Sequence, residues 1–163
     1  MPQLIKGRAV VADRWTLLRE ATSLADVPVD VAAIVPLALW KAERPALLAR
    51  GDVGVWLAPT DDPAAVADDL SALPLIAVDF PKFTDGRGYS IARLLRDRYG
   101  FEGELRAIGD VLRDQLFALS QCGFDAFALR AGRDAAEALT GFYDFDSVYA
   151  PTTKAPQPRF RRH

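Results

Sequence analysis

From Val53 onward, short apolar runs alternate with stretches whose apolar residues recur at helical spacing. "VGVWLA" (53–58) predicts a strand, and "PTDDPAAVADDL" after it a helix, with Asp61 or Asp62 as cap and Pro63 in its first turn. "LPLIAVDF" (73–80) is apolar nearly throughout, as expected of a strand covered on both faces. "SIARLLRDRYG" places Ile91, Leu94, Leu95 and Arg98 on one helical face and stops at Gly100. "GELRAIG" (103–109) predicts a third strand, followed by Asp110 as the cap of a helix over "VLRDQLFALSQ" in which Leu112, Leu116 and Leu119 keep the helical period. Gly123 ends that helix, "FDAFAL" (124–129) predicts a fourth strand, and "RDAAEALTGF" (133–142) a last helix.

Strands and helices alternating at these lengths imply βαβ units, hence an α/β fold with a mainly parallel sheet and right-handed crossovers. Four successive βα units fit an open sheet or half of a barrel, and a half barrel would have to pair as a homodimer to cover its edges. The first fifty residues are less regular. "AVVADRWTLL" (9–18) holds one or two short strands or a hairpin, "DVAAIV" (30–35) a further strand, and "PLALWKAERPALLAR" (36–50) a helix that Pro45 obstructs. The expected organisation is one domain over 1–150 and a flexible, basic, proline-rich tail over 151–163, where Lys154, Arg159, Arg161 and Arg162 stand without an acid.

Composition narrows the chemistry. At 163 residues the chain suits one domain, with 50% apolar and 26% charged residues. The formal charge of −2 argues against a nucleic-acid binder that relies on overall basicity. Cys122 is the only cysteine and His163 the only histidine, which removes disulfides, cysteine- or histidine-based metal sites and a Ser-His-Asp triad within one chain. The N-terminal stretch lacks a signal-peptide layout, and the longest apolar run, "VAAIVPLALW", is half of what a bilayer requires; the sequence reads as cytoplasmic.

Candidate chemistry concentrates in "FPKFTDGRGYS" (80–90), which leaves the C-terminal end of the second strand. In parallel α/β folds such loops line the ligand crevice. Lys82, Asp85 and Arg87 would then lie on the functional edge, Gly86 and Gly88 would let a ligand approach the backbone, and Tyr89 and Ser90 would open the next helix, whose N-terminus favours an anion. The next junction adds Arg106 near the end of its strand and Asp110 at a helix start. An oxyanion, phosphate or carboxylate would be gripped by Arg87, Arg106 and Lys82, with Asp85 or Asp110 orienting the cations or moving protons. The same residues equally fit a tight Asp-Gly turn with an internal Arg–Asp ion pair. "DGRGYS" is no dinucleotide fingerprint, because Ile91 replaces the third glycine, and it lacks the lysine of a P-loop. Asp110 and Asp114, one turn apart with Gln115 adjacent, could share a metal or a proton, and equally fit a cap plus a solvated acid. Cys122, at a helix C-terminus where the dipole raises a thiol pKa, fits a buried filler better than a nucleophile.

Over about residues 50–130 the chain resembles a bacterial domain-of-unknown-function family labelled as an oxidoreductase of sulfite reduction. The motifs that carry the resemblance are Phe80-x-x-Phe83-x-Asp85-Gly86-Arg87, Tyr89-Ser90, Gly103-Glu104-Leu105-Arg106-Ala107, Gly109-Asp110-Val111-Leu112-x-Asp114-Gln115 and Cys122-Gly123-Phe124-Asp125. Members are typically encoded beside assimilatory sulfite reductase and sulfate-activation enzymes, so the resemblance implies a role in sulfur assimilation. It carries over no catalytic residue. One implied role is an auxiliary oxidoreductase holding a sulfur oxyanion or an adenylylated ligand, although no flavin, haem or iron–sulfur ligand pattern is recognisable and the cofactor is unknown. The other is a non-catalytic accessory protein that binds or stabilises a sulfite reductase subunit.

Overall fold

The computed structural model describes residues 3–82 and 84–129; the helix expected over 133–142 and the tail over 151–163 lie outside these residues. One sheet has the order β2-β1-β8-β7-β6-β5-β4-β3. Its strands are β1 (Gln3–Lys6), β2 (Ala9–Ala12), β3 (Trp15–Leu17), β4 (Ala32–Pro36), β5 (Val53–Leu57), β6 (Leu75–Phe80), β7 (Glu104–Gly109) and β8 (Ala126–Phe127). β3 to β8 lie side by side in chain order and parallel, while β1 is antiparallel to both β2 and β8. The α/β class and the parallel βαβ units expected from the sequence are thus present.

β2 and β3 stand at opposite ends of this order, yet only Asp13 and Arg14 separate them in the chain. Laid flat, eight strands would put those edges about 34 Å apart at the usual strand spacing. Three Cα steps span about 11 Å at most. The sheet therefore curls until its edges approach one another. Because β2 and β3 run in the same sense, they act as two halves of one interrupted strand: the first half pairs with β1, the second with β4. This decides between the open sheet and the half-barrel-like form in favour of the latter, and it brings the two edges together within one chain.

The expected hairpin within residues 9–18 is corrected by the same topology. Both strands form, but the hairpin joins β1 to β2, with Lys6 paired to Ala9 across a two-residue loop. Gly7 opens that loop at φ +62°, a conformation in which a side chain is strained.

Strand alternation divides the residues between two faces. Val53, Val55, Ile76, Val78, Phe80, Leu105 and Ala107 share the main core with Trp40, Leu47, Ile91, Leu95, Leu116 and Leu119 from the connecting segments. Ile34, Leu75, Ala77 and Ile108 form a second cluster inside the curl, beside Trp15, Leu17 and Trp56. β6 is buried on both faces and apolar on both except at Asp79.

The connections depart from expectation where packing overrides the helical pattern. Residues 36–50 break at Glu43 into α1 (Leu37–Ala42) and α2 (Arg44–Arg50), with Pro45 accommodated in the first turn of α2. Pro63–Asp69 is a 3₁₀ segment capped by Asp62, whose carboxylate accepts from the Ala64 N–H at 2.9 Å. α3 (Arg87–Arg93) begins three residues before Ser90 and runs into a π-helical turn, Leu94–Arg98. The wider turn rotates the buried face: Ile91, Ala92, Leu95 and Arg96 are inside, whereas Leu94 and Arg98 are exposed. The next helix starts late, with a 3₁₀ turn at Arg113–Gln115 leading into α4 (Leu116–Gln121). Asp110 does not cap it. Its N–H donates to the Phe80 carbonyl at 2.7 Å, and the Gln115 side chain instead accepts from the Leu112 N–H at 3.0 Å.

Candidate functional site

The loop leaving β6 is organised by one carboxylate. Asp85 accepts from the backbone N–H of Arg87 at 3.0 Å and from its guanidinium at 3.0 Å (Nε) and 2.8 Å (Nη2). These bonds hold the Asp85 carboxyl down at about 2, the side-chain bond contributing most. The Nε–Nη2 edge of Arg87 is thereby occupied, although its side chain remains 59% exposed. Lys82 is exposed and has no ion pair among the described residues. Of the two glycines, only Gly88 is required by packing. Gly86 has an ordinary φ of −80°, and a Cβ on Gly88 would sit 2.5 Å from the Phe80 ring. Tyr89 packs edge-on against that ring, centroids 5.6 Å apart. Ser90 is the fourth residue of α3, exposed, and not at its open N-terminus.

An NMR titration of the full-length protein should give Asp85 a midpoint near 2. Arg87→Ala should return it toward about 3.9, the ordinary aspartate value. The depressed pKa means that the contribution of this pair to stability is complete above the unfolded value. It is lost as pH falls through about 2.

A second group gathers beside the loop. Burial raises the Tyr89 hydroxyl pKa, and a hydrogen bond with the Gln115 side chain opposes that shift. Burial likewise raises the pKa of the Cys122 thiol against the opposing charge of Arg93, so the thiol stays protonated at neutral pH. Asp114 is exposed on the 3₁₀ turn.

Arg106 belongs to neither group, which corrects its expected position on the rim. It lies three residues, about 10 Å, before the C-terminal end of β7, and its side chain is only 3% exposed. Its Nε donates to Glu104 at 2.8 Å and its Nη1 to both Asp13 carboxylate oxygens at 3.0 Å. Lys6 completes the chain at 3.1 Å from Glu104. Nearer the mouth, Arg19 donates to Asp79 at 3.0 Å and lies over the Trp56 ring at 5.5 Å. None of Lys6, Asp13, Arg19, Trp56, Asp79 or Glu104 stood among the candidates read from the sequence. The available signals were a single carboxylate in the otherwise apolar "LPLIAVDF" and the charged i, i+2 pair in "GELRAIG", both of which place charge on an inner face.

The model of the family described as "bacterial protein of unknown function (DUF934)" matches residues 54–160. The chain belongs to that family. In this DUF934 protein the matched stretch contains β5 from Gly54 onward, β6 to β8, the β6 loop, Glu104 and Arg106, whereas Lys6, Asp13 and Arg19 precede it. No curated protein matches the chain. Among the described residues, no helix is long and apolar enough to cross a membrane.

Proposed function

We propose that this DUF934 protein serves bacterial sulfite reduction as an accessory that binds a subunit of the reductase without itself carrying out the redox chemistry. The sulfur setting comes from the label attached to the family that the motifs resemble. The accessory role is favoured by one observation: the arginines best suited to grip a substrate anion are already engaged by carboxylates, Arg87 giving its Nε–Nη2 edge to Asp85 and the buried Arg106 its Nε and Nη1 to Glu104 and Asp13. An anion at Arg106 would have to displace a carboxylate bonded in good geometry, and one at Arg87 would meet a guanidinium whose charge Asp85 already offsets.

The auxiliary-oxidoreductase reading keeps support from Lys82, an exposed cation at a C-terminal strand end with no described partner. Two measurements separate the roles. Tagged protein from cells grown on sulfate should retain a sulfite reductase subunit, and a deletion strain should grow on sulfide but poorly on sulfate or sulfite. Arg87→Ala should still complement that strain. Loss of complementation with an unchanged melting temperature would instead place a ligand at the loop, and failure to capture the reductase would remove the accessory role.

A further inference from the structure

We infer that the mouth of the curled sheet carries a receptor for a small oxyanion, built on Arg19 and separate from the loop cations. Arg19 follows β3, where the parallel strands end. Its guanidinium lies over Trp56 at 5.5 Å and gives Nη2 to Asp79 at 3.0 Å. Asp79 is firmly placed, its side chain only 9% exposed. Trp56 is fixed in turn, because its indole N–H donates to the Leu18 carbonyl at 3.2 Å. The two contacts together hold the guanidinium in place.

The donor count leaves room for a ligand. A guanidinium has five N–H donors, and the bond to Asp79 uses one proton of Nη2. Whichever proton that is, one complete two-donor edge stays open, either Nε with Nη2 or Nη1 with Nη2. No other hydrogen bond of Arg19 to a described residue competes for it, and the side chain is 42% exposed. It borders an open cavity of about 390 Å³, walled also by Leu17, Leu18, Glu20, Ala21 and Asp26. Asp26 turns its charge to its own turn: Oδ2 accepts from the Thr22 and Ser23 N–H groups, which hold the carboxyl below its usual range. The fixed edge matches the paired oxygens of sulfite, sulfate, phosphate or a carboxylate. Glu20 opposes the anion's charge, so affinity rests on the two-donor geometry and is sensitive to salt.

The test is calorimetric titration of the full-length protein at low ionic strength with sodium sulfite, sulfate and phosphate separately. At least one of them should bind one-to-one in the wild type. Arg19→Lys keeps the charge but removes the edge, and should weaken that binding about tenfold or more. The Trp56 indole N–H resonance of the wild type should shift along the same titration, which decides the matter even if Arg19→Lys fails to fold. Absence of binding for all three anions at millimolar concentration overturns the inference. So does binding that survives Arg19→Lys with an unmoved Trp56 resonance. Reductase capture is a separate readout, so this site and the accessory role fail independently.

Discussion

An Arg106→Met variant is expected to lose about 3–5 kcal/mol of unfolding free energy, the usual cost of breaking a buried ion pair from one side. The methionine keeps most of the stem's packing, so the loss isolates the charge. Glu104 retains Lys6 across a half-exposed contact, but Asp13 loses the arginine that holds both of its oxygens. Asp13 also accepts from the Trp15 N–H at 3.0 Å, at the interruption between β2 and β3. Its anchor on β7 lies three strands away in the sheet order, so the pair ties the closing segment across the interior. Urea unfolding followed by far-UV circular dichroism measures the cost. The triple replacement of Arg106, Glu104 and Asp13 by Met, Leu and Leu should recover most of it, because no carboxylate is then left without its cation. A loss below about 1 kcal/mol for the single variant would place the pair in the range of exposed surface bridges and refute the tie.

That tie also shows what the sequence could and could not reveal. The four strands from Val53 onward announce themselves through apolar runs bounded by turn residues, and their parallel order follows from the alternation with helices. The closure does not announce itself. It depends on β1, four residues long, and on a two-residue link whose meaning emerges only once the strand order is known. The loop was legible as a place, and its alternative reading as an Asp-Gly turn with an internal Arg–Asp pair matches the bonds that form. Arg106 was misplaced for a physical reason. Period-2 alternation turns Glu104 and Arg106 to the interior, and a charge near a strand end looks like a rim residue until its partner, Asp13, is found 93 residues away. Non-local pairing of this kind leaves no local pattern.

Arg96→Met is expected to be comparably costly, at about 3 kcal/mol, for a different reason. Arg96 holds together three chain segments by donating to the carbonyls of Gly123 at 2.9 Å, Phe101 at 2.8 Å and Gly103 at 2.9 Å. Burial pushes its pKa down against the nearby charge of Asp125, so the cation is retained at a cost that these carbonyls offset. Methionine can fill much of the same space over the Phe101 ring, but it leaves three acceptors without their donor. Arg96→Lys should rescue little, since an ammonium on a single stem does not reproduce the spread of a guanidinium fork. The π turn of Leu94–Arg98 is part of the same arrangement, because it brings Arg96 to the inside. Gly123 is the matching feature on the other side: its φ is +115°, and a Cβ there would meet the Arg96 Cγ at 2.5 Å. Gly123→Ala should therefore destabilise through both backbone strain and collision, and only the collision is relieved when Arg96 is shortened to alanine. A double-mutant cycle between Arg96→Ala and Gly123→Ala should show a coupling of about 1 kcal/mol or more. Strict additivity would mean that the two residues do not meet, and that the segments around α3 and β8 are held by the apolar core alone.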